Sequence, residues 1–244
     1  MTTIEWQFPD TPETAADLMK KGYAPHSGGT WLMKQKPGKG WVDLSRIESL
    51  YRFTEVDGVI EAGAMLTFSS LAEKLSAEHV LARALSAAAS NTLRNRITLG
   101  GSLAAFPVWS DLAAPLVLLG AEVLLHGAGA GSVAAADYLS DTSLRKSTLV
   151  TGIRFPSEAG SSGYFRHTRT TFDYPAFTIA ARRTPGGVRA VVSGTKERIS
   201  IFDPATEHDE PRIPGRFDSS EEYLSHCAAV ELGRLVRELT EAAK

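Results

Sequence analysis

The sequence has few features that would permit cross-linking, metal clustering or membrane insertion. Cys227 is the only cysteine among the 244 residues, so the chain cannot form an internal disulfide or supply the thiolates of an iron–sulfur cluster or a cysteine-rich zinc site. No apolar run approaches the ~20 residues that span a bilayer, and residues 1–12 lack the basic and apolar regions of a signal peptide. A cytoplasmic protein without a membrane span is therefore expected.

An excess of charge of either sign is also missing. The chain has 26 Lys and Arg residues against 28 Asp and Glu residues, and 43% of its residues are apolar. These values are ordinary for a globular protein and disfavour both a disordered polyanion and a basic nucleic-acid binder. At roughly 150 residues per domain, the length corresponds to one large domain or two modest ones.

Local patterns predict a mixture of helices and antiparallel strands. A helix begins after Thr11 and ends near Lys21, and further helices are predicted over residues 69–89 (one broken helix or two), 112–120 and 220–239. Predicted strands cover residues 51–53, 59–62, 121–125, 148–155, 176–182 and 188–193. The pair Asp57-Gly58 favours a tight hairpin turn between the first two of these strands.

A run rich in Gly and Ser, residues 158–163, is the best linker candidate. The sequence thus predicts a domain over residues 1–160 and a second over residues 161–244. The second begins as a basic antiparallel sheet, because residues 164–198 hold seven Lys or Arg and two acidic residues. An irregular acidic segment with three prolines, residues 203–222, follows this sheet and precedes the C-terminal helix.

Two short segments contain paired glycines beside hydroxyl side chains. One is His26-Ser27-Gly28-Gly29-Thr30-Trp31, and the other is Thr98-Leu99-Gly100-Gly101-Ser102. A pyrophosphate needs several unobstructed backbone N–H groups, which glycine can provide because it lets the backbone approach closely. Either pair alone is also typical of a plain turn, and neither fits a Walker A or G-x-G-x-x-G pattern.

The context of the second pair makes a family recognisable. The run from Asn91 to Ala104 includes Arg94-Asn95-Arg96 before the glycines, and it is followed by Pro107-Val108-Trp109-Ser110-Asp111 and by Leu119-Gly120-Ala121. Together with the first pair, these motifs resemble the FAD-binding medium subunit of molybdenum hydroxylases, the xanthine dehydrogenase and carbon monoxide dehydrogenase family. The resemblance extends to Tyr164-Phe165-Arg166-His167, Phe172-Asp173 and the C-terminal helix, so it covers nearly the whole chain.

The resemblance implies an α+β fold. It consists of a two-lobed FAD-binding domain of the vanillyl-alcohol-oxidase (PCMH) type, with lobes of about residues 1–55 and 56–160, and a small C-terminal α/β domain with an antiparallel sheet and a terminal helix. The C-terminal domain is shortened relative to the family pattern, because residues 200–219 hold the acidic segment where the family has room for a helix.

The same resemblance implies the residues that bind FAD. Residues 26–31 and 98–102 would hold the pyrophosphate and ribityl groups, Asp111 would accept hydrogen bonds from ribityl or ribose hydroxyls, and Arg166 would lie near the flavin ring. The family's covalent histidine position is Thr30 here, so the flavin is expected to be non-covalent. Ser102 and Trp31 replace the family's usual residues, which predicts fewer hydrogen bonds to FAD.

The implied function is that of the FAD subunit of a multi-subunit molybdenum hydroxylase. A large subunit with molybdopterin and a small subunit with 2Fe-2S clusters would be its partners, and electrons would pass through FAD to an external acceptor. No catalytic side chain and no metal ligand is predicted on this chain. Two alternatives stay open: a free-standing FAD-dependent oxidase or dehydrogenase of the same fold, and a scaffold that has lost flavin binding.

Less specific interpretations of the same residues also stay open. His26 is interpretable as a turn residue, and Asp111 as a helix N-terminal residue that favours the helix dipole. Arg166 and Arg169 are interpretable as solvated surface charges. Trp109 and Tyr174 are expected to pack rather than to stack on a flavin.

Overall fold

The computed structural model describes residues 4–32, 38–127, 131–203 and 210–242. Contacts divide the chain into two compact units. The first unit comprises residues 1–71, 91–105 and 120–157, and the second comprises residues 72–90, 106–119 and 158–244.

The first unit contains two sheets and several short helices. Its elements in chain order are β1 (Glu5–Gln7), α1 (Pro12–Lys20), β2 (Tyr23–His26), β3 (Gly40–Asp43), a 3-10 helix (Glu48–Tyr51), β4 (Phe53–Val56), β5 (Val59–Gly63), α2 (Phe68–Ala72, of which Ala72 falls in the second unit), α4 (Asn91–Arg94), α5 (Leu99–Ala105), β6 (Glu122–Gly127), β7 (Gly131–Ala134), α7 (Ala135–Ser140), α8 (Thr142–Ser147) and β8 (Thr148–Pro156). The second unit holds α3 (Val80–Ala87), α6 (Ala113–Leu118), β9 (Ser162–His167), β10 (Phe177–Thr184), β11 (Gly187–Thr195), β12 (Arg198–Phe202) and α9 (Glu221–Glu241).

The two sheets of the first unit differ in strand direction. β1 and β2 both pair in parallel with β3, which lies between them. The larger sheet is antiparallel with the order β4-β5-β8-β6-β7. α1 contacts β2 and β3 as well as β6 and β8, so it links the two sheets, and α5 packs against β8.

The second unit is an antiparallel sheet, β12-β11-β10-β9, covered on both faces. Alternate residues of β10 and β11, among them Phe177, Ile179 and Val192, pack in one apolar cluster with Leu224 and Leu235 of α9. The intervening residues are buried too, and α6 contacts both strands, so α6 covers the opposite face.

Several sequence-based predictions are confirmed. Thr11 caps α1 by accepting a hydrogen bond from the amide of Thr14, with Pro12 in the first turn. The Asp57-Gly58 hairpin is present, with positive φ angles of 50° and 75° at these residues. Strands β6, β8, β10 and β11 and helix α9 lie where the sequence predicts them, and residues 68–87 form two helices, α2 and α3.

Two local predictions are wrong. The second glycine pair was interpreted as a turn or loop but lies in the first turn of α5. Helix α6 begins at Ala113, not after a cap at Ser110-Asp111. Residues 128–130, between β6 and β7, and residues 204–209 of the acidic segment lie outside the described residues.

The compact units also differ in composition from the predicted domains. Residues 72–90 and 106–119 precede the predicted boundary at residue 160, yet they group with the C-terminal residues, because α3 packs on β9 and α6 packs on β10 and β11. The division into residues 1–160 and 161–244 stays a proposal.

Candidate functional site

The first glycine segment, residues 26–31, follows directly after β2, the edge strand of the parallel sheet. Its backbone runs against Arg96: a Cβ atom built on Gly28 would lie 1.6 Å from the Arg96 carbonyl oxygen. Gly29 has a φ of +74°, a conformation that non-glycine residues rarely adopt. Both glycines are therefore required by the path of the chain.

The second glycine segment, residues 98–102, opens α5. Gly100 packs on Ala64, since a Cβ at Gly100 would lie 2.7 Å from the Ala64 Cβ. Thr98 acts as the helix cap: its hydroxyl accepts a hydrogen bond from the amide of Gly101, and its carbonyl accepts one from the amide of Ser102. The cap explains why a segment with two glycines is helical at all.

The two glycine segments meet at a pair of hydroxyl groups. The Ser27 and Thr98 hydroxyl oxygens are 2.9 Å apart and share a hydrogen bond. A Cβ on Gly101 would lie 2.9 Å from the first of these oxygens and 2.8 Å from the second. The space beside Gly101 is thus a small cradle walled by hydroxyls, which any side chain at this position would fill.

The backbone amides of the two segments are not equally available to a ligand. In the second segment, the amide of Leu99 donates to the Leu66 carbonyl, that of Gly100 to the Ala64 carbonyl, and that of Gly101 to Thr98. Within the described part of the chain, the amides of residues 27–30 make no hydrogen bond. Within the described residues, the amides of these two segments that remain available as donors are therefore those of residues 27–30.

His26 ends β2 and lies in an aromatic cluster. Its ring centroid is 5.0 Å from that of Trp6 and 6.1 Å from that of Trp41. Its Nδ1 atom is buried without a hydrogen bond in the described structure and lies 3.8 Å from the nearest carboxylate oxygen of Asp43. The Nε2 edge faces Gly29. His26 thus borders the first segment and is packed rather than free in solvent.

The remaining predicted residues of the two segments differ in exposure. Thr30 and Trp31 are exposed, the latter by 42% of its surface, whereas Thr98 and Leu99 are buried. Ser102 is half-buried on the first turn of α5.

Asp111 and Arg166, also predicted for the site, form a buried ion pair in the second unit. Arg166 Nε is 2.7 Å from Asp111 Oδ1, and the two side chains are 8% and 11% exposed. The Tyr164 hydroxyl donates to the same oxygen at 3.0 Å, and Arg166 also donates to the Asp173 carbonyl. The interpretation of Arg166 as a solvated surface charge is therefore wrong.

Burial raises the pKa values of Asp111 and Tyr164 in this cluster. Desolvation raises the pKa of Asp111, although Arg166 and the Tyr164 hydroxyl both act to lower it. Burial and the neighbouring carboxylate raise the pKa of Tyr164. Asp111 does not cap α6, because its carboxylate is turned toward β9.

Two residues that hold these groups in place were not predicted as site residues from the sequence. Tyr164 completes the Asp111 cluster, and Arg96 donates two hydrogen bonds to the Gly28 carbonyl. The Arg94-Asn95-Arg96 motif beside the second segment was the available signal for Arg96, but nothing in the sequence tells which arginine reaches the first segment. Trp109 and Tyr174 contact each other, with ring centroids 4.7 Å apart.

Within the described ranges, no group of three or more His, Cys, Asp or Glu side chains is placed to hold a metal ion. Among the same residues, no helix is long and apolar enough to cross a membrane.

Comparison with known proteins identifies the family. Residues 2–158 match the family model described as the FAD binding domain in molybdopterin dehydrogenase. A comparison with curated protein sequences finds no match.

Solved structures match over almost the whole chain. Carbon monoxide dehydrogenase from Hydrogenophaga pseudoflava has a TM-score of 0.82 at 19% identity, covering 97% of this chain and 96% of that one. Quinoline 2-oxidoreductase from Pseudomonas putida 86 has a TM-score of 0.82 at 21% identity, covering 99% and 98%. Carbon monoxide dehydrogenase from Oligotropha carboxidovorans has a TM-score of 0.80 at 21% identity, covering 97% of each chain.

These similarities confirm the predicted α+β fold, and the family match extends over most of the chain. They also confirm the prediction of an FAD-dependent oxidoreductase component. The chain belongs to the family of FAD-binding domains of molybdopterin dehydrogenases.

Proposed function

We propose that the chain is the FAD subunit of a multi-subunit molybdenum hydroxylase, taking electrons from an iron–sulfur partner and passing them to an external acceptor. The observation that carries this proposal is the union of the two glycine segments at Ser27 and Thr98 in a member of this family. A cytoplasmic location is part of the same proposal.

The residues present fit the pyrophosphate of FAD. The amides of residues 27–30 have no partner in the described structure, and the cradle beside Gly101 is bordered by two hydroxyls. A bound pyrophosphate needs such converging donors, because an unpaired anion is costly to bury. Residues 27–30, with the hydroxyls of Ser27 and Thr98, would hold this group, while residues 99–101 shape the cradle.

Asp111 and Arg166 already bind each other, so only part of their hydrogen-bonding capacity would be available to FAD. Asp111 Oδ1 already accepts from Arg166 and Tyr164, so Oδ2 is the oxygen left to accept a ribityl or ribose hydroxyl. The Arg166 guanidinium is held by Asp111 and by the Asp173 carbonyl, which fixes its orientation.

We assign the other cofactors of the complex to partner subunits, because this chain has too few cysteines to ligate an iron–sulfur cluster. FAD, when bound, joins one-electron donors to two-electron acceptors. One cysteine, Cys227, cannot ligate an iron–sulfur cluster, so the clusters would reside on a small subunit and molybdopterin on a large one. Two of the structurally similar proteins are molybdenum enzymes. The carbon monoxide dehydrogenase from Hydrogenophaga pseudoflava lacks the Mo-pyranopterin moiety of its molybdenum cofactor, and another carbon monoxide dehydrogenase is a Cu,Mo enzyme.

Cofactor and metal analysis of the native complex tests the proposal. The tagged chain, purified at low salt, should bring flavin stoichiometric with itself, together with two other chains that carry molybdenum, iron and acid-labile sulfide. A chain that purifies alone, with flavin that a small organic donor reduces directly, would instead indicate a free-standing flavoenzyme. A colourless chain that binds partners but no FAD would indicate a scaffold.

A further inference from the structure

Arg96 reaches from the turn before the second glycine segment to the backbone of the first. Its Nε and Nη2 atoms lie 3.2 and 3.0 Å from the Gly28 carbonyl oxygen, so one guanidinium donates two hydrogen bonds to one acceptor. The backbone of Arg96 is itself anchored, because its amide donates to the Leu93 carbonyl at the end of α4.

The same residue also touches Gly28 through its main chain. The Arg96 carbonyl oxygen occupies the place where a Cβ of Gly28 would be. The side chain and the main chain of Arg96 therefore hold Gly28 at its carbonyl and at its Cα, which leaves this peptide little freedom to rotate.

The orientation of this peptide determines where the next amide points. In a trans peptide the C=O and the following N–H point in opposite directions, and the described chain has no cis peptide bonds. Because the Gly28 carbonyl faces Arg96, the N–H of Gly29 faces away from it. With the φ of +74° at Gly29, successive amides of this segment can converge on one anion.

Among the residues that the structure describes, no acidic side chain neutralises the charge of Arg96. The side chain is exposed, and within the described residues no carboxylate lies within ion-pairing distance of it. A guanidinium that polarises the Gly28 carbonyl also adds positive potential near the amides of residues 27–30, which make no hydrogen bond within the described residues.

We propose that Arg96 is the positioning residue of the pyrophosphate site: it fixes the Gly28–Gly29 peptide with its N–H free for a diphosphate, and its charge favours diphosphate-bearing ligands over uncharged ones. This inference rests on the proposed function, since it concerns the same glycine segments. It assigns a role to a residue that the motif at residues 98–102 does not include.

Binding of ADP and adenosine to the full chain separates this role from a general loss of structure, because only ADP carries the diphosphate. Arg96→Ala should weaken binding of both ADP and FAD by about 10-fold to 100-fold, as expected for lost charge-assisted hydrogen bonds, and leave adenosine binding unchanged. Arg96→Lys, which keeps the charge, should bind ADP better than Arg96→Gln, which keeps only a neutral donor. The salt dependence of ADP binding should be smaller in Arg96→Gln than in the wild type.

Arg52→Ala is the matched control, because Arg52 is an exposed arginine of the same unit that has no side-chain contact with either glycine segment in the described structure. It should bind ADP as the wild type does. If the alanine variant does not fold, the lysine and glutamine variants decide the question. Wild-type affinity in all Arg96 variants, or equal losses for ADP and adenosine, would overturn the inference, whereas a wild-type chain that binds neither FAD nor ADP would overturn the proposed function itself.

Discussion

At the scale of single residues, the buried pair of Asp111 and Arg166 shows how context overrides local pattern. Ser110-Asp111 has the composition of a helix cap, yet the carboxylate binds a guanidinium and a phenol from β9, 55 and 53 residues further along the chain. A contact at this sequence separation leaves no local signature, so the pairing could not be predicted even though both charged residues were.

Removing one member of this pair should be severely destabilising. Arg166→Met leaves a buried carboxylate without its cation, and we expect a loss of about 3–5 kcal/mol in the free energy of unfolding at pH 7. Urea denaturation measures this loss. The double variant Asp111→Asn/Arg166→Met should recover most of it, because no charge is then left buried. A loss below about 1 kcal/mol in the single variant, the range of surface ion pairs, would show that Asp111 and Arg166 do not behave as a buried ion pair.

The same variant should acquire a characteristic pH dependence. Burial already raises the pKa of Asp111 in the folded protein, and without Arg166 one opposing interaction is gone. A carboxyl with a higher pKa in the folded state binds more protons when folded, so stability is greatest below the unfolded value of about 3.9 and is lost as pH rises through the raised folded value. Unfolding of Arg166→Met should therefore become less favourable as pH falls from 7 toward 4, more steeply than in the double variant. A flat profile would contradict the assignment.

Substitution of Gly28 tests the close contact between Gly28 and the Arg96 carbonyl. Gly28→Ala places a Cβ against the Arg96 carbonyl, so the backbone must move, and we expect a loss of about 1–3 kcal/mol in stability together with weaker FAD binding. Gly186→Ala is the control, since a Cβ there meets nothing within 4 Å, and it should change stability by less than about 0.5 kcal/mol. An equal change in thermal stability in the two variants would show that the contact between Gly28 and the Arg96 carbonyl is not tight.

At the scale of elements, the hairpin of β10 and β11 contains an unfavourable pairing. Arg182 lies directly opposite Arg189, and the Nε atoms of both are buried without a hydrogen bond in the described structure, although Arg189 Nε is 4.0 Å from a carboxylate oxygen of Asp203. Burial and the charge of Arg189 lower the pKa of Arg182, which is the expected sign for a desolvated cation beside another.

Arg182→Gln should therefore stabilise the protein. Like charges in directly opposed strand positions are destabilising, and relief of this repulsion is worth about 0.2–1 kcal/mol. Arg183→Gln is the matched control, because Arg183 lies opposite Val188 and should leave stability unchanged. The gain, measured by urea denaturation, should shrink at 1 M salt; a gain of the same size in both variants would point to another cause.

Elements with strong local signals were predictable, and those made by distant contacts were not. α1 has its cap, its proline and its apolar spacing within nine residues, and the Asp57-Gly58 turn is equally local. α5 contains two glycines and so has low helix propensity, and it forms because Thr98 caps it and Leu66 and Ala64 accept its first amides. β7, with one β-branched residue, forms by pairing with β6.

At the scale of the whole molecule, the family and the cofactor could be predicted because several motifs recur at their family spacing. The two glycine segments, 71 residues apart at Ser27 and Thr98, are joined by a hydrogen bond that neither segment predicts alone. The two compact units could not be predicted from the sequence. Residues 72–90 and 106–119 precede the predicted domain boundary, yet they belong to the second unit because their helices α3 and α6 pack on its sheet.

The visible spectrum of the purified full chain, recorded before and after addition of FAD and again after denaturation, tests directly whether this chain binds FAD. We expect a bound-flavin spectrum in the wild type, release of the flavin on denaturation because no covalent link is expected at Thr30, and weaker binding in Gly28→Ala but not in Gly186→Ala. A wild-type chain that shows no bound flavin with excess FAD, both alone and in its native complex, would show that this chain is not an FAD subunit.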